Sequence, residues 1–496
     1  MTPYQQLEAR FARRGTLNEA LSVLNWDYSS MMPAGGAPAR AEQMSLLEVM
    51  AHEILTAPEL PDLFEQAQGQ NELGDWQRAN LKEMRRDWLH ATAVPAHLVQ
   101  ALSKAAVDCE MAWRLARPAN DFAGILPKLE TVLNLAREVA AAKAAKLDKP
   151  LYDALLDAYE PDGSAAEIDR QFAALSAFLP GAIGAAIDRQ KSRPAPLQPQ
   201  GPFPIERQKQ VGLKFMAALG FDFDHGRLDV SAHPFCGGTP DDVRITTRYR
   251  EDDFARAMMG VLHETGHALY ERGLPVDWRR QPVGRARGMS LHESQSLLME
   301  MQACRSREFI EFAAPLLRDT FGGSGPAWDA DNLYRLNTRV ERSLIRVDAD
   351  EATYPAHVIL RYRLERALIE DRLQLKDLPG AWNDGMRELV GIAPTDDRDG
   401  CLQDIHWYCG LWGYFPTYTL GAMTAAQLFQ AATAQDASIK PGLATGDFAP
   451  LLAWLRTNVH NRASSVPAAQ LLTDATGKPL DTDAFQRHLQ SRYLSD

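Results

Sequence analysis

With 496 residues, of which 45% are hydrophobic and 24% charged, the chain has the composition of a globular protein with a large core. That length allows one large helical domain or two to three average ones, and a net charge of -12 argues against a nucleic-acid partner, which needs a basic face. No run of about 20 apolar residues predicts a membrane span, Met1-Thr2-Pro3-Tyr4 opens no apolar leader, and five cysteines without CxxC spacing read as reduced thiols of a cytoplasmic protein.

Residues 1 to about 60 read as two helices, the first around Leu24-Asn25-Trp26-Asp27-Tyr28, joined by the loop from Met32 to Pro38. Helix-period apolar spacing runs through 75–195, with breaks at Pro95, Pro118 and Pro150. The stretch Arg193-Pro194-Ala195-Pro196-Leu197-Gln198-Pro199-Gln200-Gly201-Pro202 predicts a connector between two lobes of one domain spanning 1–496: a helical lobe of about 1–200 and a second of about 201–496. From Phe221 the character changes. Phe223 to Val230 and Val243 to Tyr249 are rich in β-branched and aromatic residues, and Cys236-Gly237-Gly238-Thr239-Pro240-Asp241-Asp242 between them is turn-prone. Together they predict a small antiparallel sheet. A strand edge in that place can pair with an extended peptide. After Gly322-Gly323-Ser324-Gly325-Pro326 the pattern is helical to the end, so the fold class is mostly α with one short sheet.

The sheet leads into His263-Glu264-Thr265-Gly266-His267, flanked by apolar helix formers. On a helix, residues four apart share a face, so His263 and His267 can offer two imidazoles to one metal ion. Glu264 sits about 100° round the helix, too far for a third ligand on that face but near the open side of the metal. This is the H-E-x-x-H arrangement of a zinc hydrolase: two ligands and a general base. Zinc lowers the pKa of a water to roughly 7, and the carboxylate takes its proton. Gly266 costs about 1 kcal/mol against Ala in mid-helix, so a close packing neighbour is expected there. A catalytic zinc wants a third protein ligand. Glu293, in Ser290-Leu291-His292-Glu293-Ser294-Gln295, is the candidate on a second helix, with His292 and Glu300 competing.

Other motifs make the chain recognisable. It carries His233-Pro234-Phe235, Asp242-Val243-Arg244-Ile245-Thr246, His292-Glu293-Ser294-Gln295, Ile345-Arg346-Val347-Asp348-Ala349-Asp350 and Gly400-Cys401-Leu402-Gln403-Asp404-Ile405-His406-Trp407. In this order, from 233 to 407, they closely resemble the M32 family of metallocarboxypeptidases, and length and helical N-terminal half extend the resemblance to essentially the whole chain. One departure is Leu297-Leu298-Met299-Glu300-Met301, where the family commonly continues with Arg-x-Trp-Glu-Asn. The resemblance implies His263, His267 and Glu293 as ligands, Glu264 as base, zinc as the default metal with cobalt possible, and a mostly helical homodimer with a long cleft. It further implies removal of single residues from peptides with a free C-terminus, with broad preference and poor tolerance of proline.

Attack on a peptide carbonyl builds negative charge that a preorganised donor should share. His406 and Tyr418 are the candidates, with Tyr414 the alternative; the aromatic density of Trp407-Tyr408-Cys409-Gly410-Leu411-Trp412 equally suits a core. A terminal carboxylate calls for a guanidinium. Arg346 is the choice because it lies in a family motif, Arg244 is second, and either could instead tie helix to strand through an Asp. His233 reads as a substrate contact or a strand-turning residue. Asp350, Asp242 and Asp404 are plausible acceptors orienting a ligand imidazole, or ordinary caps and ion pairs. Two rival functions use the same residues: an endopeptidase or dipeptidase, and a silent scaffold holding zinc structurally. Against the scaffold, a structural site usually closes all four positions with protein ligands.

Overall fold

The computed structural model describes residues 1–495, and its N-terminal half follows the local signals closely. Thr2 and Gln5 form a reciprocal capping box that starts the Pro3–Ser30 helix, and Pro33 precedes the turn into the Ala37–Leu55 helix. Pro95 caps the Ala96–Ala119 helix and Pro150 the Leu151–Leu156 helix. Pro118 is tolerated within the last turn, where Asn120 takes φ 55° and closes the helix. The proline-rich connector has no regular structure until the Ile205–Leu219 helix begins.

Beyond it lie three strands: β1 (Gly226–Val230), β2 (Cys236–Thr239) and β3 (Asp242–Thr247). The sheet is mixed, not purely antiparallel. Its order is β1-β3-β2, with β1 parallel to β3 and β2 antiparallel to it. The reason is that the glycine-rich stretch expected to be only a turn is itself a strand. β2 carries the chain back, so β3 can enter between the two earlier strands running the same way as β1. Gly238, at φ 84°, makes the tight reversal possible. Val243 and Ile245 face inward against Val261 and Ala268 of the Phe254–Gly273 helix, which fixes the sheet to it.

Two large apolar clusters fill the interior. One combines residues between 98 and 186 with residues between 340 and 493; the other spans parts of 203–333 and 425–475. The Pro416–Gln435 helix serves both, with Leu420 and Met423 in the first and Leu428 and Ala432 in the second. Ala165–Lys191 is long and apolar enough to cross a membrane by length and composition, and Phe172, Leu175 and Leu179 on it are buried in the first cluster. The return to helix after Pro326 is interrupted twice. Residues 338–353 hold one short 3-10 turn, and 391–415 contain no helix. Gly391, Gly410 and Gly413 all have positive φ there, which breaks any helical run.

Candidate metal centre

The Phe254–Gly273 helix begins where the Asp253 side chain accepts a hydrogen bond from the Arg256 N–H. Its histidine-bearing face meets the Gly288–Leu297 helix, which runs antiparallel to it. The neighbour that Gly266 calls for is the backbone of this second helix: a Cβ at 266 would lie 2.5 Å from the Gln295 carbonyl oxygen and 2.6 Å from the Ser296 Cα. That approach sets Glu293 opposite His267, with Glu293 Oε2 3.5 Å from His267 Nε2. One ligand atom each from His263, His267 and Glu293 lies within 4.8 Å of the other two. Gly421 clears the other side of Glu293. A Cβ there would stand 2.9 Å from the Glu293 Cβ and Cγ, so the Pro416–Gln435 helix lies directly against the glutamate.

Two imidazoles and a carboxylate converging on one space suit a divalent cation. Burial and neighbouring His292 push His267 down to about 4, leaving it neutral as a metal ligand must be. Burial works to raise Glu293, but the hydrogen bond from His267 and the His263 charge hold it down to about 2. Burial alone would lower His263; Glu300, Glu293 and Glu264 pull it up to about 10. Those three carboxylates make this a negative pocket, matched to a cation. Glu264 is buried, and its burial together with Glu293 and Glu300, against the opposing charges of His263 and His292, pushes it up to about 7. A carboxyl there is poised to exchange a proton near neutrality.

The two residues that competed with Glu293 sit beside the candidate ligands. Glu300 Oε2 lies 3.0 Å from His263 Nδ1, and its other oxygen accepts from Arg305 at 2.8 Å. His292 stacks on His267, ring centroids 4.5 Å apart, while its Nε2 lies 2.8 Å from Glu271 Oε1. None of the aspartates considered as orienting acceptors reaches a ligand imidazole. Asp242 pairs with Arg244, Asp350 caps Thr353 and Ala352, and Asp404 binds Arg346 and Arg361. Short carboxylates with arginines or free backbone N–H groups nearby are consumed locally. The departing residues Leu297, Leu298 and Met299 are buried in the second apolar cluster, so the departure is absorbed in packing.

Across the centre stands a wall built differently. His406 and Tyr418 come together, Nε2 to hydroxyl at 3.3 Å, with Tyr414 edge-on to Tyr418. Burial, opposed by the Asp404 charge and helped by Arg346 and Arg361, pushes His406 down to about 4, which keeps it neutral. Arg346 is buried; its Nε and Nη2 donate to Asp404 Oδ1 at 3.0 and 2.7 Å, and Nη1 to the Tyr354 hydroxyl at 2.9 Å. The Tyr354–Ile369 helix turns Arg361 and Glu365 toward the irregular 391–415 segment, while Tyr354, seven residues before Arg361, meets Arg346 and Tyr418. Arg361 donates to the second oxygen of Asp404, and Glu365 accepts from Trp407 Nε1, the Tyr152 hydroxyl and the Gly413 N–H, each at 2.8 Å. Sequence reading missed Tyr354, Arg361 and Glu365. Their one signal was their spacing on a single helix face. Arg244 is held by Asp242 and lies over the Trp26 ring, 4.5 Å from its centroid, and His233 is exposed.

A family model described as Carboxypeptidase Taq (M32) metallopeptidase matches residues 6–493. Thermostable carboxypeptidase 1 of Thermus thermophilus is 40% identical over 511 aligned positions, covering 100% of this chain and 99% of that protein. Among solved structures, Trypanosoma cruzi metallocarboxypeptidase 1 superposes with a TM-score of 0.97 at 40% identity, covering 99% of both chains. An M32 carboxypeptidase from Deinococcus radiodurans R1 gives a TM-score of 0.93 at 35% identity, covering 99% of this chain and 98% of that one.

Proposed function

This chain belongs to the M32 family of metallocarboxypeptidases, and on that premise we propose that it removes single residues from free C-termini with broad preference, poorly where proline intervenes, using Glu264 as general base. It is a metal-dependent carboxypeptidase; the ion, the substrate range and the residue roles are the further reading. The observation that carries it is the convergence of His263, His267 and Glu293 beside a buried Glu264.

Zinc is the ion we propose, with cobalt able to replace it, because two imidazoles and one carboxylate form a common catalytic donor set. When bound, it supplies Lewis acidity, polarising the scissile carbonyl and making water a better acid. The residues supply the rest. Glu264 accepts the proton of the attacking water and delivers it to the leaving amine, a task suited to a carboxyl pushed up to about 7 by burial and its carboxylate neighbours. His406 and Tyr418 offer hydrogen-bond donors to the developing oxyanion. Arg346 commits three of its five N–H groups to Asp404 and Tyr354, leaving two for a terminal carboxylate. Two guanidiniums, Arg346 and Arg361, share one aspartate, so that buried cluster carries a net positive charge that favours an anion. His233 and Arg244 remain proposed substrate contacts along the cleft. The five unpaired cysteines accord with a reducing cytoplasm.

Mass spectrometry of mixed peptides with zinc- or cobalt-loaded protein tests this, beside Glu264→Gln and a chelated control. Stepwise loss from free C-termini, absent from amidated peptides and from both controls, is the expected result. Internal cuts would point to an endopeptidase, and no cleavage with either metal would sink the enzymatic reading of these residues.

A further inference from the structure

We propose that Glu300 is a positioning residue for the metal centre, fixing His263 in the tautomer and ring orientation that turn Nε2 toward the space shared with His267 and Glu293. The proposal rests on the reading of His263 as a ligand.

Helix geometry separates the roles of the two glutamates. His263 and His267 are one turn apart, about 6 Å along their helix, whereas Glu300 lies seven residues beyond Glu293, past the point where the helix widens at Leu298. In the antiparallel pairing around Gly266, Glu293 therefore reaches the centre and Glu300 passes beyond it to the outer nitrogen of His263, 3.0 Å away. An imidazole has two nitrogens, and an acceptor on Nδ1 requires that Nδ1 carry the proton, leaving Nε2 with its lone pair for a metal.

Glu300 is itself immobilised. Arg305 Nη2 donates to its Oε1 at 2.8 Å, and Arg305 Nη1 donates to the Asn337 carbonyl at 2.8 Å, so the carboxylate is anchored through a second residue to a separate element. The turn that carries it is a π-helix, Leu298–Ala303, in which the Cys304 N–H bonds the Met299 carbonyl five residues back. Such wide turns are rare in protein structures and concentrate at functional sites. The buried Leu297, Leu298 and Met299 hold this one in the core. His267 is treated differently: its Nδ1 has no hydrogen-bond partner among the described residues, and its ring is held by stacking on His292. Among the described residues, His263 has a carboxylate on its Nδ1 and His267 does not, and His263 is the one farther from Glu293 along the helix.

The test compares Glu300→Gln, Glu300→Ala and His263→Ala with the wild type, measuring zinc affinity by chelator competition and the visible spectrum of the cobalt-loaded protein. Both Glu300 variants should bind zinc about 10- to 100-fold more weakly and shift the cobalt bands. Metal-free Glu300→Gln should still unfold in one cooperative transition, at a lower temperature for the lost ion pair with Arg305; this isosteric variant decides the matter should Glu300→Ala fail to fold. Wild-type zinc affinity and cobalt bands in Glu300→Gln, with His263→Ala weakened, would overturn the proposal alone. Wild-type affinity in His263→Ala would overturn the ligand assignment and the proposal with it.

Discussion

The two walls of the site achieve order by opposite means. The wall bearing His263, Glu264, His267 and Glu293 is a pair of regular helices brought together by Gly266 and buried apolar residues, with Glu300 and Arg305 tying in the outer nitrogen of His263. The wall bearing His406 and Arg346 stands on irregular backbone and is held by buried charge: Asp404 between two arginines, and Glu365 accepting three donors. The first keeps a constellation by sterics, the second by electrostatics. The difference teaches where each should fail: the helical wall when volume is added, the irregular wall when a charge is removed.

Glu264→Gln is the sharpest cut, because it removes the proposed base without changing shape. It should lower kcat/KM about 100- to 10,000-fold with zinc content unchanged, checked by steady-state assay and metal analysis. On the opposite wall, Tyr418→Phe should lower kcat about 100- to 1,000-fold. Arg346→Ala should act mainly on KM for free-acid peptides, about 10- to 100-fold for a lost charged hydrogen-bond pair. An Arg346→Ala enzyme with wild-type kcat/KM would move carboxylate recognition elsewhere. Neither substitution should alter zinc affinity, and a loss of metal in either would erase the distinction between the walls.

Gly266→Ala tests the steric side, since the added methyl meets backbone that cannot swing away. A loss of about 1–3 kcal/mol in denaturant unfolding is expected, accompanied by weaker zinc binding. The smallest effect concerns the junction between walls. Glu351 accepts from Tyr493 and Arg492, pairs with His488 and takes a hydrogen bond from Gln302 on the Glu300 turn. Burial would raise its pKa, but the His488 and Arg492 charges hold it well below the usual carboxylate range. A folded pKa below the unfolded value of about 4.3 means this stabilisation is complete above that pH and is lost as pH falls through the folded value. Glu351→Gln should therefore flatten the acid side of the stability curve, which chemical denaturation across pH 2–7 would reveal.

What was legible in the sequence follows the same division. His263, Glu264 and His267 declare themselves because their chemistry repeats at helical spacing, and the demand for a neighbour at Gly266 could be read from one residue's cost. Glu300 stood among the competing ligands; only the partner helix reveals that it meets the outer nitrogen of His263 instead. Arg346 and His406 were readable through motif resemblance, yet Arg361, Tyr354 and Glu365 were not, since their partners lie across long stretches of chain. β2 was hidden because two glycines and a proline mask a strand whose order comes from its pairing with β3.

The missing side chain at Gly421 has a consequence for assembly of the reaction space. Tyr418 lies three residues before it on the same helix, and Glu293 rests against the bare backbone at 421. The helix thus works as a calliper: one jaw touches a ligand glutamate, the other carries a hydroxyl of the opposing wall. Because no side chain separates Glu293 from that backbone, the proposed ligand and the proposed oxyanion donor are spaced by one stretch of helix, which a methyl at 421 would force apart.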